Sequence, residues 1–163
     1  MKTIIKIFKP WFAVDSRSLG IFRIFLGILC FTDIARRWSY IDIFYTDSSI
    51  VAATSSSSFY KMFNLLSTFT KSWEVHLFFL IGIIFSIFLI IGYKSKLSHF
   101  ISAVIIISIH NRAIILENAG DMFFNSILIW TLFLPLGISF SIDSLKKNLS
   151  LFKENNIDDL NNR

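Results

Sequence analysis

Residues 73–93 read WEVHLFFLIGIIFSIFLIIGY, and this stretch is the clearest sign of the kind of protein that the chain forms. Its centre, residues 77–91, carries no charged side chain, and Trp73 and Tyr93 stand at its two ends. An apolar helix of about 20 residues can cross the roughly 30 Å hydrocarbon core of a bilayer. Because Trp and Tyr are enriched at the two membrane interfaces, the stretch predicts a membrane-spanning helix.

The composition of the whole chain agrees with this interpretation. Of the 163 residues 54% are hydrophobic, and the 19 Phe are gathered with Ile in long blocks. Two Pro and six Gly are too few for the many turns of a membrane β-barrel. The net charge of +5 is spread over basic residues that flank apolar segments. Such a distribution reports membrane orientation, so the expected partner is the lipid bilayer and not a nucleic acid.

Three further apolar stretches predict an all-α, polytopic membrane protein with about four transmembrane helices. They cover residues 18–34, 97–116 and 121–141. Ser16 or Ser18 is the expected N-cap of the first of these helices. The four helices form one domain, residues 1–163.

The last two stretches of the chain carry two further expectations. Pro135 should kink or loosen the last turns of the fourth helix, because proline lacks the backbone N–H that a helix needs. Residues 144–163 form a polar, Asn-rich tail, which is expected to end in disorder.

Two stretches outside the spans predict segments that lie along the membrane surface. Within the long connection of residues 36–72, apolar side chains recur at helical spacing on one face: Phe59, Met62, Phe63, Leu66 and Phe69. This pattern predicts an interfacial amphipathic helix. Residues 1–14 combine lysines with apolar residues and are interpreted as an interfacial segment anchored by Trp11.

Arg23 is a charged residue within the first predicted span. Gly20, Arg23, Gly27 and Cys30 follow at spacings of three and four and therefore share one helix face. Small residues on that face would let a neighbouring helix approach closely, with Arg23 pointing into the bundle. The alternative is that Arg23 reaches back to the interface. Near the other end of the same helix, Asp33 and Arg37 are interpreted as a helix-end ion pair.

The basic residues also predict the orientation. One side of the membrane would receive the larger set: Lys2, Lys6, Lys9, Arg17, Lys94, Lys96, Lys146, Lys147, Lys153 and Arg163. The other side would receive the smaller set: Arg36, Arg37, Lys61, Lys71 and Arg112. The positive-inside rule then places both termini in the cytoplasm.

A polar island lies between the third and fourth spans, where residues 109–125 read IHNRAIILENAGDMFFN. Asn118, Asp121 and Asn125 are spaced by three and four and face one way if a helix begins near Glu117. His110 or Asn111 could meet Asp121, and Arg112 could pair with Glu117 or Asp121. One interpretation is interhelical hydrogen bonds that close the bundle. The other is a polar pocket that holds a small molecule and moves a proton.

Several short motifs resemble those of the HTTM family, the horizontally transferred transmembrane domain. They are Leu19-Gly20-x-x-Arg23-Ile24 with Gly27, Phe44-Tyr45-x-Asp47, Gly92-Tyr93-Lys94, His110-Asn111-Arg112 and Asn118-x-Gly120-Asp121, in the order of the family. The resemblance runs over residues 15–143. HTTM proteins are bacterial relatives of the vitamin K-dependent γ-glutamyl carboxylase, which uses reduced vitamin K, O₂ and CO₂.

The resemblance implies a polytopic helical domain with its polar site on the non-cytoplasmic side of the bacterial inner membrane. The family domain carries further helices, one of which holds the lysine that acts as base in the carboxylase. This chain resembles the first half of that domain, so complete carboxylase chemistry is not expected of it alone. The resemblance implies that a remnant pocket for a quinone or reduced vitamin K would be lined by Arg23, His110, Asn111, Arg112, Asn118 and Asp121. Asn125 shares the predicted helix face of Asn118 and Asp121.

Two functions therefore stand side by side. In the first, the chain is an HTTM-like membrane protein with a quinone-type pocket. It would be either a degenerate half that stands alone or one part of a split enzyme whose partner subunit supplies the missing helices. In the second, it is a non-catalytic four-helix membrane module that assembles with a partner, and the polar island holds the helices together. No catalytic residue is assigned in either, and no metal site is predicted.

Overall fold

The computed structural model describes residues 15–46, 65–69, 71–113, 116–137 and 139–161. Within these ranges all regular secondary structure is helical and there is no β-strand. The helices are α1 (Ser16–Trp38), α2 (Ile41–Phe44), a 3₁₀ turn (Leu65–Thr68), α3 (Ser72–Ile91), α4 (Ser95–Arg112), α5 (Ala119–Thr131) and α6 (Ile142–Asn161). The predicted all-α class is confirmed for this part of the chain.

Two of these helices, α1 and α3, are long enough and apolar enough to cross a membrane. They contain 23 and 20 residues, which correspond to roughly 35 and 30 Å at 1.5 Å per residue. The first two predicted spans are therefore present as helices. The N-cap of α1 is Asp15, whose carboxylate accepts a hydrogen bond from the Arg17 backbone N–H at 3.1 Å. The expected cap, Ser16 or Ser18, was wrong because the helix already begins at Ser16 and the Asp15 carboxylate satisfies this donor.

Glycines allow the long helices to pack closely. A Cβ added at Gly27 of α1 would lie 2.7 Å from the side chain of Ile90 in α3. A Cβ added at Gly82 of α3 would lie 2.9 Å from both Ile34 and Ile105. The face of α1 that carries Gly20, Arg23, Gly27 and Cys30 is buried, as predicted. In this arrangement α3 packs between α1 and α4, and α5 packs against α4.

The fourth predicted span is not one continuous helix. The helix α5 ends at Thr131 and has 13 residues, or about 20 Å, which is shorter than the roughly 30 Å hydrocarbon core. The ring of Pro135 would collide with the Thr131 carbonyl if the helix continued, and that carbonyl instead accepts a hydrogen bond from the Leu134 N–H at 3.0 Å. The predicted third span is the 18-residue helix α4, which begins at Ser95 and ends at Arg112, before Leu116.

The polar tail also differs from its prediction, because Ile142–Asn161 forms the helix α6 rather than a disordered end. Its start is fixed to the α3–α4 turn. Asp143 accepts hydrogen bonds from the backbone N–H groups of Lys94 and Ser95, both at 2.9 Å. The predicted interfacial segment of residues 1–14 lies outside the described residues, as does most of the predicted helix of residues 59–69.

Candidate functional site

The charged and polar side chains at one end of the bundle form a continuous network. They come from the last turns of α1 and α4, the start of α5 and the residue that follows α2. We call this set the His110 network: Asp33, Arg37, Tyr45, His110, Asn118, Asp121 and Asn125.

His110 lies at the centre of the bundle end, with none of its side chain exposed. Its Nε2 is 3.0 Å from Asp33 Oδ2, and its Nδ1 is 2.8 Å from Asn125 Oδ1. With both oxygens as acceptors, both ring nitrogens donate and the ring is a cation. Rotation of the Asn125 amide would place its NH₂ against Nδ1 and suit the neutral ring. In both arrangements the Nε2–H donates to the Asp33 carboxylate.

Asp33 is the carboxylate on which the network converges. Besides His110, it accepts a hydrogen bond from Arg37 Nε, 3.2 Å from each carboxylate oxygen. Arg36 Nη2 approaches the same carboxylate at 3.1 Å from the exposed side of α1. Three basic side chains around one carboxylate compensate the cost of removing its charge from water.

Arg37 connects the two buried carboxylates. Its Nη2 lies 3.1 Å from Asp121 Oδ1, and its Nη1 donates to the Tyr45 hydroxyl at 3.1 Å. Burial raises the pKa of Tyr45, although the nearby Arg37 opposes this shift. The Tyr45 phenol therefore stays neutral at physiological pH and acts as an acceptor for the guanidinium.

The start of α5 positions Asp121. Asn118 is the N-cap, and its side-chain oxygen accepts a hydrogen bond from the Asp121 backbone N–H at 3.1 Å. The Asp121 carboxylate accepts in return from the Asn118 N–H at 3.2 Å. This reciprocal pair is a capping box. It leaves Asp121 Oδ1 free to meet Arg37, so Asn118 acts on the network by positioning its neighbour.

Glu117 lies beside the network, and its Oε1 is shielded from solvent with no hydrogen-bond partner among the described residues. Burial raises the pKa of Glu117, partly offset by His110. A carboxylate with an unused, shielded oxygen is a place where a donor from a ligand would be stabilised.

Arg23 lies far from this network. It is separated from Asp33 by ten positions on α1, which is roughly 15 Å along the helix. It is fully buried and points into the bundle, where Nη2 donates to the Phe140 carbonyl at 2.7 Å and the Ile90 carbonyl at 3.3 Å. The interpretation that it points inward is confirmed over the interfacial one. The structure nevertheless does not join it to His110.

Of the other predicted site residues, His110, Asn118, Asp121 and Asn125 come together in the network. Asn111 and Arg112 are half-buried neighbours of His110 at the end of α4. Asp121 pairs with Arg37, which was not among the partners predicted for it from the sequence. The network members Asp33, Arg37 and Tyr45 were missed as site residues. One signal for them was available in the sequence. The predicted first and third spans both end on the same side of the membrane, so the side chains of their last turns can meet.

A cavity of about 560 Å³ opens beside the network, within the size range of pockets for small organic ligands. Its polar wall is formed by Asp33, Arg36 and Asp121, and its apolar wall by Leu29, Phe123, Phe124 and Ile127. A smaller cavity of about 250 Å³ lies on the other side of Arg36 and Asp121 and is lined by Tyr40, Tyr45 and Asn118 among others.

Asp33, His110 and Asp121 could together offer ligand atoms to a metal ion, since these atoms lie within 4.8 Å of one another. The guanidinium of Arg37, however, contacts both carboxylates and supplies the positive charge that a cation would bring. A divalent ion would have to displace it. The arrangement is that of an ion-pair network.

The described part of the chain is all-helical, with two helices able to cross a membrane and a buried charged network at one end of the bundle. No protein-family model matches this chain, and comparisons with curated proteins and with solved structures likewise gave no match.

Proposed function

We propose that this chain is an HTTM-like protein of the bacterial inner membrane, with four membrane-embedded segments and a pocket for a quinone-type ligand at the His110 network. Both termini lie in the cytoplasm, and the network faces the opposite side. The ligand binds in the 560 Å³ cavity, where the Asp33 carboxylate, held by His110, accepts a hydrogen bond from it.

Membrane embedding beyond α1 and α3 is supported by the apolar surface of α4 and α5. Phe100 of α4 is 54% exposed, and Trp130 of α5 is 74% exposed. A contiguous surface of such side chains is unfavourable in water and is typical of a face that meets lipid or another protein. The embedded fourth segment would comprise the short helix α5 and the turns that follow it up to Ser141.

The relation to HTTM is supported by where the resembling motifs meet. Tyr45, His110, Asn118 and Asp121 belong to three separate motifs and share one network. Two further motifs meet at the other end of the bundle, where a Cβ added at Gly92 would lie 1.9 Å from Arg23 Nη1. Motifs that are distant in sequence thus meet at two sites in the structure, as expected if together they stabilise one fold.

The Asp33–His110 contact at the wall of the cavity is the observation that carries the ligand proposal. A quinol hydroxyl placed against Asp33 would donate a hydrogen bond to the carboxylate, which His110 holds in place from behind. The aromatic rings of Phe123 and Phe124 suit the flat face of a quinone. Arg36 offers donors to a quinone oxygen. Among the described residues the network contains no lysine, so the base of the carboxylase has no counterpart here.

The proposal is tested by thermal unfolding of the purified protein in detergent with a short-chain menaquinone. Ligand that binds only the folded state raises the melting temperature. Replacing Ile127, which lines the cavity, by Trp should remove this shift. Ile129→Trp is the matched control, because Ile129 is exposed two positions away and does not line the cavity. A parent protein that the quinone does not stabilise would refute the pocket.

The second candidate function, a non-catalytic module that assembles with a partner membrane protein, is favoured by one observation. Phe123 and Trp130 lie two turns apart on α5 and are 68% and 74% exposed, on a face that further helices could cover. In this case a neighbouring reading frame would encode those helices. The complex would co-purify and would be weakened by Trp130→Ser, and no quinone effect would accompany it.

A further inference from the structure

A second polar cavity, of about 860 Å³, lies at the end of the bundle opposite the His110 network. It is formed where the α3–α4 turn meets the start of α6. Its polar wall carries Lys94, Lys96, Ser144 and Asn148. The quinone proposal does not use it.

The cavity carries a net positive charge, because its wall holds two lysines, Lys94 and Lys96, and one acidic residue, Asp143. Both oxygens of Asp143 accept hydrogen bonds at the start of α4, from Lys94 N and Ser95 N at 2.9 Å and from Ser95 Oγ at 3.1 Å. These contacts satisfy backbone donors and leave the ammonium groups of Lys94 and Lys96 exposed. A third cation is close, since the ammonium groups of Lys94 and Lys146 lie 6.0 and 4.9 Å from the centre of the Tyr93 ring.

The opposite wall of the cavity is apolar and leads toward the proposed membrane interior. It is formed by Leu97, Pro135 and Leu151. Leu97 is followed one turn later on α4 by Phe100, and both side chains are about half exposed. An occupant of this cavity therefore meets cationic groups at one end and an apolar helix face at the other.

The first half of α6 likewise combines an apolar face with cationic side chains. Leu145, Leu149 and Phe152 follow at spacings of four and three, so they share one face, and each is more than 60% exposed. An apolar stripe beside lysines is typical of a helix at the membrane interface. Because Asp143 fixes the start of α6 to the ends of α3 and α4, this stripe lies next to the cavity.

We propose that this cavity binds one anionic phospholipid. Its phosphate lies between Lys94 and Lys96, with Asn148 as a hydrogen-bond donor, and its acyl chains follow Leu97 and Phe100 of α4. The site rests on the membrane embedding of the proposed function and is independent of the quinone pocket. A free phosphate would satisfy the lysines but would leave the apolar wall uncovered, so the lipid is the favoured source of the anion.

The test is native mass spectrometry of the full chain released from detergent, titrated with phosphatidylglycerol or with phosphatidylcholine of the same acyl chains. We expect one phosphatidylglycerol to bind more tightly than phosphatidylcholine. Each lysine near an anionic headgroup strengthens binding about five-fold, so Lys94→Gln with Lys96→Gln should weaken it about 30-fold. Arg17→Gln with Lys71→Gln removes the same charge from exposed positions away from the cavity and should change little.

Lys94→Arg with Lys96→Arg keeps both charges and should retain the preference. Because the substituted side chains are exposed, the helix content by circular dichroism should be unchanged in all variants. Equal binding of the two lipids to the parent would overturn the inference, as would an equal loss in the control variant. Inorganic phosphate that competes as well as phosphatidylglycerol would show a simple anion site and overturn it too. Quinone stabilisation should survive in the Gln variant, so failure of one site is distinguishable from failure of the other.

Discussion

His110 and Asp33 meet at 3.0 Å between Nε2 and Oδ2, although 77 positions separate them in the chain. The contact joins the last turn of α4 to the last turns of α1, two helices that run in the same direction. It also links the imidazole to Arg37, which shares the Asp33 carboxylate. The pair therefore connects a buried imidazole, an ion-pair network and the wall of a cavity.

Arg37→Met should destabilise the protein strongly. The substitution leaves the buried carboxylates of Asp33 and Asp121 without their common partner, and breaking a buried ion pair on one side costs about 3–5 kcal/mol. Arg36→Gln is the matched control, because Arg36 contacts the same Asp33 from a side chain that is 67% exposed, and exposed pairs contribute about 0–1 kcal/mol. Unfolding of both variants in detergent measures the difference, and similar losses would contradict the network.

Tyr45→Phe should lower stability by about 1.5–3 kcal/mol, the usual contribution of a hydrogen bond to a charged group. It removes the acceptor that Arg37 Nη1 uses at 3.1 Å while keeping the buried ring, which packs edge-on against Phe79. Tyr40→Phe serves as the control, since Tyr40 is 51% exposed and should change stability by less than about 0.5 kcal/mol. Equal melting temperatures of the two variants would count against the Arg37 contact.

Gly92→Ala should destabilise the end of the bundle that holds Arg23. Gly92 ends α3 with a φ of 72°, a conformation that costs an L-residue about 1–2 kcal/mol. The new methyl would also lie 1.9 Å from Arg23 Nη1. Ser18→Ala is the control, because Ser18 is exposed near the start of α1, at the same end of the bundle. The thermal midpoint should fall clearly for the first variant and little for the second.

The docking of α6 should weaken in acid. Burial alone raises the pKa of Asp143, but hydrogen bonds from Ser95 and Lys94 outweigh it and hold the pKa below the ordinary value. Because the folded pKa is the lower one, ionised Asp143 adds stability fully above the unfolded pKa of about 3.9. That stability is lost as the pH falls through the folded pKa. The melting temperature of Asp143→Asn should depend less on pH in this range than that of the parent, and parallel profiles would disprove the contribution.

Local composition predicted the elements whose character is set within one stretch. The spans at α1 and α3 follow from uninterrupted apolar runs, and the buried face with Gly20 and Arg23 follows from helical spacing. The sequence predicted a disturbance of the fourth span but not that its helix would end at Thr131. Pro135 marked the disturbance, but how many turns it removes depends on the hydrogen bonds that replace the helical ones.

Contacts between distant segments were beyond what spacing can predict. Asp33 and Arg37 are an i, i+4 pair, and such pairs usually lie on a solvated helix face. They became the centre of the candidate site because α4 brings His110 and α5 brings Asp121 to the same helix end. The polar composition of the tail predicts disorder, but Ile142–Asn161 is a helix. This helix is fixed at the start by the hydrogen bonds that Asp143 makes 48 and 49 positions away.

The most direct test of the account is the affinity of a short-chain menaquinol for the parent, Asp33→Asn and Asp42→Asn in detergent. Asp33→Asn keeps the size of the side chain and removes the charge that accepts the quinol hydrogen bond, so we expect about 10–100-fold weaker binding. Asp42 is at the same end of the bundle with a largely exposed carboxylate, and its variant should bind like the parent. Equal affinity of Asp33→Asn and the parent would contradict the proposed role of the Asp33–His110 pair.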